Sequence, residues 1–141
     1  MRTLAILASL SLLALLTAAN PLRAENVTDG THLLAGCQLA LAGFDRPGNH
    51  VTPADALQTG VCIGFLEGVA DAHRFDTLRS AEAGRLLPRA FCVPNGVTAP
   101  EEARVLLAFL NAHPERLSEN GIGLVYAAYA EAWPCPADIG K

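Results

Sequence analysis

The sequence predicts an all-α fold: a small bundle of about four helices braced by two disulfides. Three observations carry this expectation. Residues 91–136 read as two helical stripes folded back on each other, with a cysteine at each open end. No segment alternates apolar and polar residues long enough to make a strand. The chain holds four cysteines behind a leader-like N-terminus, and an even number in an exported chain reads as disulfides.

The N-terminus is a targeting pattern. Arg2 precedes an apolar run over residues 4–16, and small residues follow. Cleavage is expected after Ala24, with Ala19 as the alternative site. Residues 1–24 are then a signal peptide and residues 25–141 a single helical domain. The apolar run is short for a bilayer span and no cationic stop-transfer cluster follows it, so no membrane attachment is expected after cleavage. Of the ten Lys+Arg, removal of Arg2 and Arg23 leaves eight against fourteen Asp+Glu, a net charge of −6. That balance argues against nucleic acid and against anionic membrane surfaces. It allows a basic protein partner.

Residues 28–31 supply turn and N-cap types for a first helix over 32–42, with Leu33, Leu34, Cys37 and Leu41 on its apolar side. Residues 43–50 are rich in breakers and read as a loop. Thr52 caps a second helix, with Pro53 at its first position. It is expected to run to about His73 along a ridge of Leu57, Val61, Phe65 and Val69. Gly60, Gly64 and Gly68 recur every four residues there. Each costs roughly 1 kcal/mol relative to alanine in a helix interior. Close approach of a neighbouring helix is the expected reason. Residues 74–89 are less patterned, and a short separate helix over 76–86 is expected.

The third helix has the plainest signals. Thr98 and Glu101 form a capping box, Pro100 lies in the first turn, and Ala103, Leu106, Phe109, Leu110 and His113 form its stripe. Pro114 ends it. Asn120 and Gly121 punctuate a fourth start, after which Ile122, Val125, Tyr126, Tyr129 and Trp133 share a face. Pro134 and Pro136 close it.

No arrangement points to catalysis, and no cofactor or metal is expected. There is no Cys-x-x-Cys, no phosphate loop, no His-Glu-x-x-His and no Gly-x-Ser-x-Gly. Asp71 and His73 are two apart and do not face the same way on a helix, so they read as a solvated helix end. Glu101 and Glu102 read as first-turn carboxylates that favour the helix dipole.

Several blocks carry a resemblance. They are Cys-Ile-Gly-Phe-Leu-Glu-Gly-Val-Ala-Asp from Cys62, Phe-Cys-Val-Pro-Asn-Gly-Val-Thr from Phe91, His-Pro-Glu-Arg-Leu from His113 and Ala-Trp-Pro-Cys-Pro from Ala132. Together they resemble the Rap/Tai family of periplasmic immunity proteins associated with type VI secretion. The resemblance covers roughly residues 31–136. It implies an all-helical, non-enzymatic protein of the periplasm that binds a cognate toxin, typically a peptidoglycan amidase, and occludes its catalytic cleft. Two other classes stay open: a small helical periplasmic chaperone or stress protein, and an inhibitor of another cell-wall hydrolase. A homodimer is also open to a chain of this kind.

The helix layout prefers one of the three cysteine pairings. Cys37 and Cys62 lie at similar distances from the loop joining their helices, so an antiparallel hairpin sets them opposite each other. The same logic pairs Cys92 with Cys135. Partner contacts are expected outside the family blocks, at Asp45 and Arg46 in the first loop and at Arg74, Asp76 and Arg79 in the second segment.

Overall fold

The computed structural model of the chain describes residues 28–46, 48, 51–85 and 88–136. The leader pattern and both candidate cleavage sites lie outside these residues. Four helices follow in order: α1 (Gly30–Asp45), α2 (Pro53–Glu82), α3 (Ala99–Ala112) and α4 (Gly121–Ala132), with a 3-10 turn, Pro114–Arg116, between the last two. There is no strand among the described residues. A single bridge joins Asp29 to Asn120.

Helix starts follow local chemistry. The Asp29 carboxylate accepts from the His32 N–H at 3.0 Å and opens α1. Thr52 and Asp55 make a reciprocal capping box at the head of α2, with bonds of 3.2 Å in each direction. Glu101 accepts from the Thr98 N–H at 2.7 Å and from its hydroxyl at 2.8 Å. Asn120 accepts from the Ile122 N–H at 2.9 Å and opens α4. Each of these bonds satisfies a backbone or hydroxyl donor that a helix start would otherwise leave to water.

The packing order is α1 on α2 and then on α3, with α3 also against α4 and α2. Two backbone bonds tie the start of α1 to the start of α4. The Thr31 N–H donates to the Leu117 carbonyl at 3.1 Å, and the Gly121 N–H to the Thr28 carbonyl at 3.0 Å. The core joins Leu33, Cys37 and Ala40 of α1, Cys62, Leu66 and Val69 of α2, and the inner faces of α3 and α4.

Both expected disulfides are present, Cys37–Cys62 and Cys92–Cys135. Their surroundings differ. Cys37 and Cys62 are each 0% exposed. Cys92 and Cys135 are half-buried, and the Cys92 N–H also donates to the Trp133 carbonyl at 2.9 Å.

Several local expectations are corrected. First, α1 is longer than 32–42 at both ends, so Gly43, Phe44 and Asp45 are helical rather than loop. Second, α2 is one continuous helix and not two. Its inner stripe continues past Val69 through His73, Thr77 and Ser80, all partly or fully buried. Polar residues carry that stripe, which hides its period. The Thr77 hydroxyl donates back to the His73 carbonyl at 2.9 Å, and His73 lies within 3.2 Å of the Phe91 carbonyl. His73 is therefore not a solvated helix end.

The helix stops in a Schellman turn. Gly84, at φ +68°, takes the left-handed position. The Arg85 N–H donates to the Ser80 carbonyl at 2.8 Å, and the Gly84 N–H to the Ala81 carbonyl at 3.0 Å.

Third, α2 is rotated relative to the expected ridge. Leu57 is 70% exposed and Val61 45% exposed, while Cys62, Leu66 and Val69 face inward. The buried crosslink at Cys62 turns that face to the core. Gly60, Gly64 and Gly68 point away from every neighbour, and a Cβ on any of them would meet nothing within 4 Å. The close approach is instead at Gly36 of α1, where a Cβ would sit 2.8 Å from the Gln58 carbonyl oxygen. Finally, Ile122 is 50% exposed, and Leu124 and Ala128 join Val125 and Tyr129 on the inner face of α4.

Candidate functional site

A groove of about 570 Å³ opens between the second half of α2, the segment around Phe91 and the first turn of α3. Its α2 wall carries Glu67, Ala70, Asp71, Arg74, Thr77 and Leu78. These positions recur at three- and four-residue spacings, so they share one side of the helix. The opposite wall is Arg89, Phe91, Cys92 and Val93, and Glu102 borders it from α3.

An aromatic cluster holds the far wall in place. The His73 and Phe91 rings lie against each other at a tilt of 36°, with centroids 4.1 Å apart. Phe91 meets Tyr126 and Tyr129 edge-on at 5.1 and 5.3 Å. Edge-to-face contacts of this kind match ring edges to ring faces. Together with the Cys92–Cys135 bond they set the segment after Arg89 against α2.

Glu102 is the unusual group. It is only 8% exposed, and the wholly buried Tyr129 donates its O–H to Glu102 Oε2 at 2.9 Å. Burial holds the Glu102 carboxyl above its ordinary range. The Tyr129 hydrogen bond opposes that shift, the charges of Glu67 and Asp71 add to it, and Arg74 opposes it. The Tyr129 phenol is pushed up in turn, by its own burial and then by the Glu102 charge. Glu101, one residue earlier, behaves in the opposite way. Its hydrogen bonds from Thr98 hold its carboxyl below the usual range.

Both carboxylates sit in the first turn of α3 as expected, but Glu102 is turned inward where Glu101 is exposed and caps the helix. Glu102 shares the inward face with Leu106 and Phe109, at i, i+4 and i+7, and that spacing is the signal that could have found it.

The expected contact residues do not converge. Arg74 lines the groove, while Asp45, Arg46, Asp76 and Arg79 do not. All five are exposed. Asp45 accepts from the Arg104 guanidinium at 2.8 Å, so it ties the end of α1 to α3. The Arg79 guanidinium carbon lies 5.8 Å from the Phe75 ring centroid. A second, apolar hollow of about 470 Å³ sits between α1 and the start of α2, lined by Leu39, Ala42, Val51 and Ala56 among others. Among the described residues no helix is long and apolar enough to cross a membrane, and no group of three His, Cys, Asp or Glu could hold a metal.

The family model for Rap1a immunity proteins matches residues 29–135, so the chain belongs to that family. Membership implies an immunity protein against a type VI secretion effector. No curated protein and no solved structure matches the chain.

Proposed function

We propose that the chain is a periplasmic immunity protein that binds one cognate effector, a peptidoglycan amidase, and blocks its active site without catalysing anything itself. The observation that carries the reading is the family match, which spans all four helices and all four cysteines. The two disulfides fit a protein that matures in an oxidising compartment. On this reading residues 1–24 direct export, cleavage follows Ala24, and residues 25–141 act as one domain.

An inhibitor must present a rigid surface to a cleft, because ordering on contact subtracts from affinity. Two crosslinked hairpins suit that task. Arg74, Asp76 and Arg79 are exposed on α2, Arg74 in the groove and the other two outside it, and Asp45 and Arg46 lie at the end of α1. These are the contact residues we assign, and a homodimer is compatible with the assignment.

The test is co-expression with the hydrolase encoded beside this gene, directed to the periplasm. Cells should lyse unless this protein is present with residues 1–24, and purified protein should slow cleavage of peptidoglycan by that hydrolase. If deletion of the gene leaves cells as resistant as before, and the purified protein does not slow cleavage, the reading fails.

One feature favours a second reading, a periplasmic chaperone. Leu57, Phe75 and Leu78 on α2 are 70%, 59% and 59% exposed. Phe75 and Leu78, one turn apart, give an exposed apolar surface of the kind that marks a protein-binding site. Suppression of aggregation of unrelated unfolded proteins, with no effect on the hydrolase, would favour it.

A further inference from the structure

We propose that the groove between α2 and the first turn of α3 is a socket for a basic side chain of the effector, an arginine or lysine, with Glu102 as its floor. This rests on the immunity reading and names the chemistry of the partner at that site.

The argument starts from Glu102. It is 8% exposed, yet it borders the groove. Tyr129 occupies Oε2, and the other oxygen accepts no hydrogen bond from the described residues. Among the described residues no fully buried side-chain oxygen or nitrogen lacks a partner, so the second Glu102 oxygen is not sealed in, and Glu102 borders the groove. A nearly buried carboxylate with one oxygen held and the other open presents an acceptor in a partly desolvated setting. Charge-assisted hydrogen bonds are strongest there.

Glu67 and Asp71 add to the demand. They lie one turn apart on α2 and line the same groove. Neither forms an ion pair among the described residues. After burial, which is the main cause, their charges also push the Glu102 carboxyl up. The groove's own cations offset them only in part: the Arg74 charge draws the Glu102 carboxyl down, against burial and the two acids. Arg74 and Arg89 stand on its walls, but neither comes within ion-pair distance of a carboxylate of the described residues.

The remaining walls suit a long side chain. Ala70, Phe91 and Val93 give apolar surface for a methylene stem, while the charged head reaches the carboxylates. A volume of about 570 Å³ accommodates such a side chain. A bare metal ion fits less well, since no three of these groups are placed to hold one.

Two measurements test the socket. In the first, Nα-acetyl-arginine methylamide is titrated into the full mature protein and followed by amide NMR shifts. Its neutral isostere, Nα-acetyl-citrulline methylamide, is the control. The arginine probe should saturate in about the millimolar range, with shifts confined to the groove around Glu67, Asp71 and Glu102. The citrulline probe should give none. Equal response to both probes, or shifts centred elsewhere, overturns the proposal.

In the second, binding of the neighbouring-gene hydrolase is compared for the wild type, Glu102→Gln and the pair Glu67→Gln with Asp71→Asn. Glu102→Gln keeps the shape and an acceptor for Tyr129, and its near-UV dichroism should match the wild type. Affinity should fall about tenfold or more in each variant, and the deficit should shrink at high salt. Unchanged affinity in both variants overturns the socket while leaving immunity intact. Failure of the wild type to bind removes the immunity reading, and the arginine titration still decides the socket.

Discussion

The two hairpins of this molecule use the same crosslink for different ends. In α1–α2 the disulfide joins two helix interiors, both cysteines are 0% exposed, and their sequence separation is 25. In α3–α4 the disulfide joins the segment before one helix to the segment after the other, both cysteines are half-buried, and their sequence separation is 43. A bond inside the core decides which face of each helix turns inward. A bond at the open ends only closes the hairpin. Packing of Leu106, Leu110, Val125 and Tyr129 sets the rotation there. The second hairpin therefore buries most of the stripe its apolar residues describe, with Ile122 the exposed exception. The first does not, and it leaves Leu57 and Val61 to solvent.

Removing each crosslink tests this contrast most strongly. Loop entropy alone assigns about 3.5 kcal/mol to Cys37–Cys62 and about 4 kcal/mol to Cys92–Cys135. The serine pair at Cys37 and Cys62 should nonetheless be the less stable variant, because it also places two hydroxyls where two buried sulfurs packed. Urea denaturation of both double variants decides it. The reverse order would mean that loop length alone governs. Mild thiol treatment followed by alkylation and peptide mapping should label Cys92 and Cys135 first, since only they are accessible.

Glycine substitutions come next in size and divide α1 from the outer side of α2. Gly36→Ala drives a methyl against the Gln58 carbonyl, which the helix pair cannot move cheaply. A loss of about 1–3 kcal/mol is expected. Gly64→Ala meets open space and should gain about 0.5–1 kcal/mol through helix propensity. Equal effects at the two positions would contradict the observed rotation of α2.

Loss of the α3 cap is smaller. Thr98→Ala should cost about 1 kcal/mol, read as a lower thermal midpoint.

The subtlest expectation is in pH. Glu102 has a raised carboxyl, so its contribution is fully present below the ordinary value of 4.5 and is lost as pH rises through its higher folded value. Glu101 has a lowered carboxyl, so its contribution is present above 4.5 and is lost as pH falls through its lower folded value. Glu102→Gln should flatten the decline in stability as pH rises from 4.5, and Glu101→Gln the decline as pH falls from it. Thermal midpoints across pH 3–8 separate the two. Identical profiles for both variants would be evidence that Glu102 is solvated like its neighbour.

Much of α3 and α4 was legible before any coordinates. Thr98, Glu101, Pro114 and Asn120 mark starts and stops through bonds made within a few residues, and those bonds form as the spacing requires. The pairing of the cysteines was legible too, from equal distances along a hairpin. The continuity of α2 was not, because His73, Thr77 and Ser80 extend its inner stripe with polar side chains that an apolar pattern passes over. The groove was legible only at Arg74. Glu67, Asp71, Phe91 and Glu102 come from three separate stretches of chain, and nothing local marks them as neighbours.

Sequence alone determined the helical class, the starts of α2, α3 and α4, and the crosslinks. These rest on capping bonds, breaker residues and antiparallel geometry, all of which act over short distances or along a single loop. Tertiary structure alone decided the rotation of α2, the outward glycines and the burial of Glu102 beside Tyr129. Each of these depends on which face a neighbouring helix covers, and the free energy of that covering is set by the whole core rather than by any residue's own surroundings in the chain.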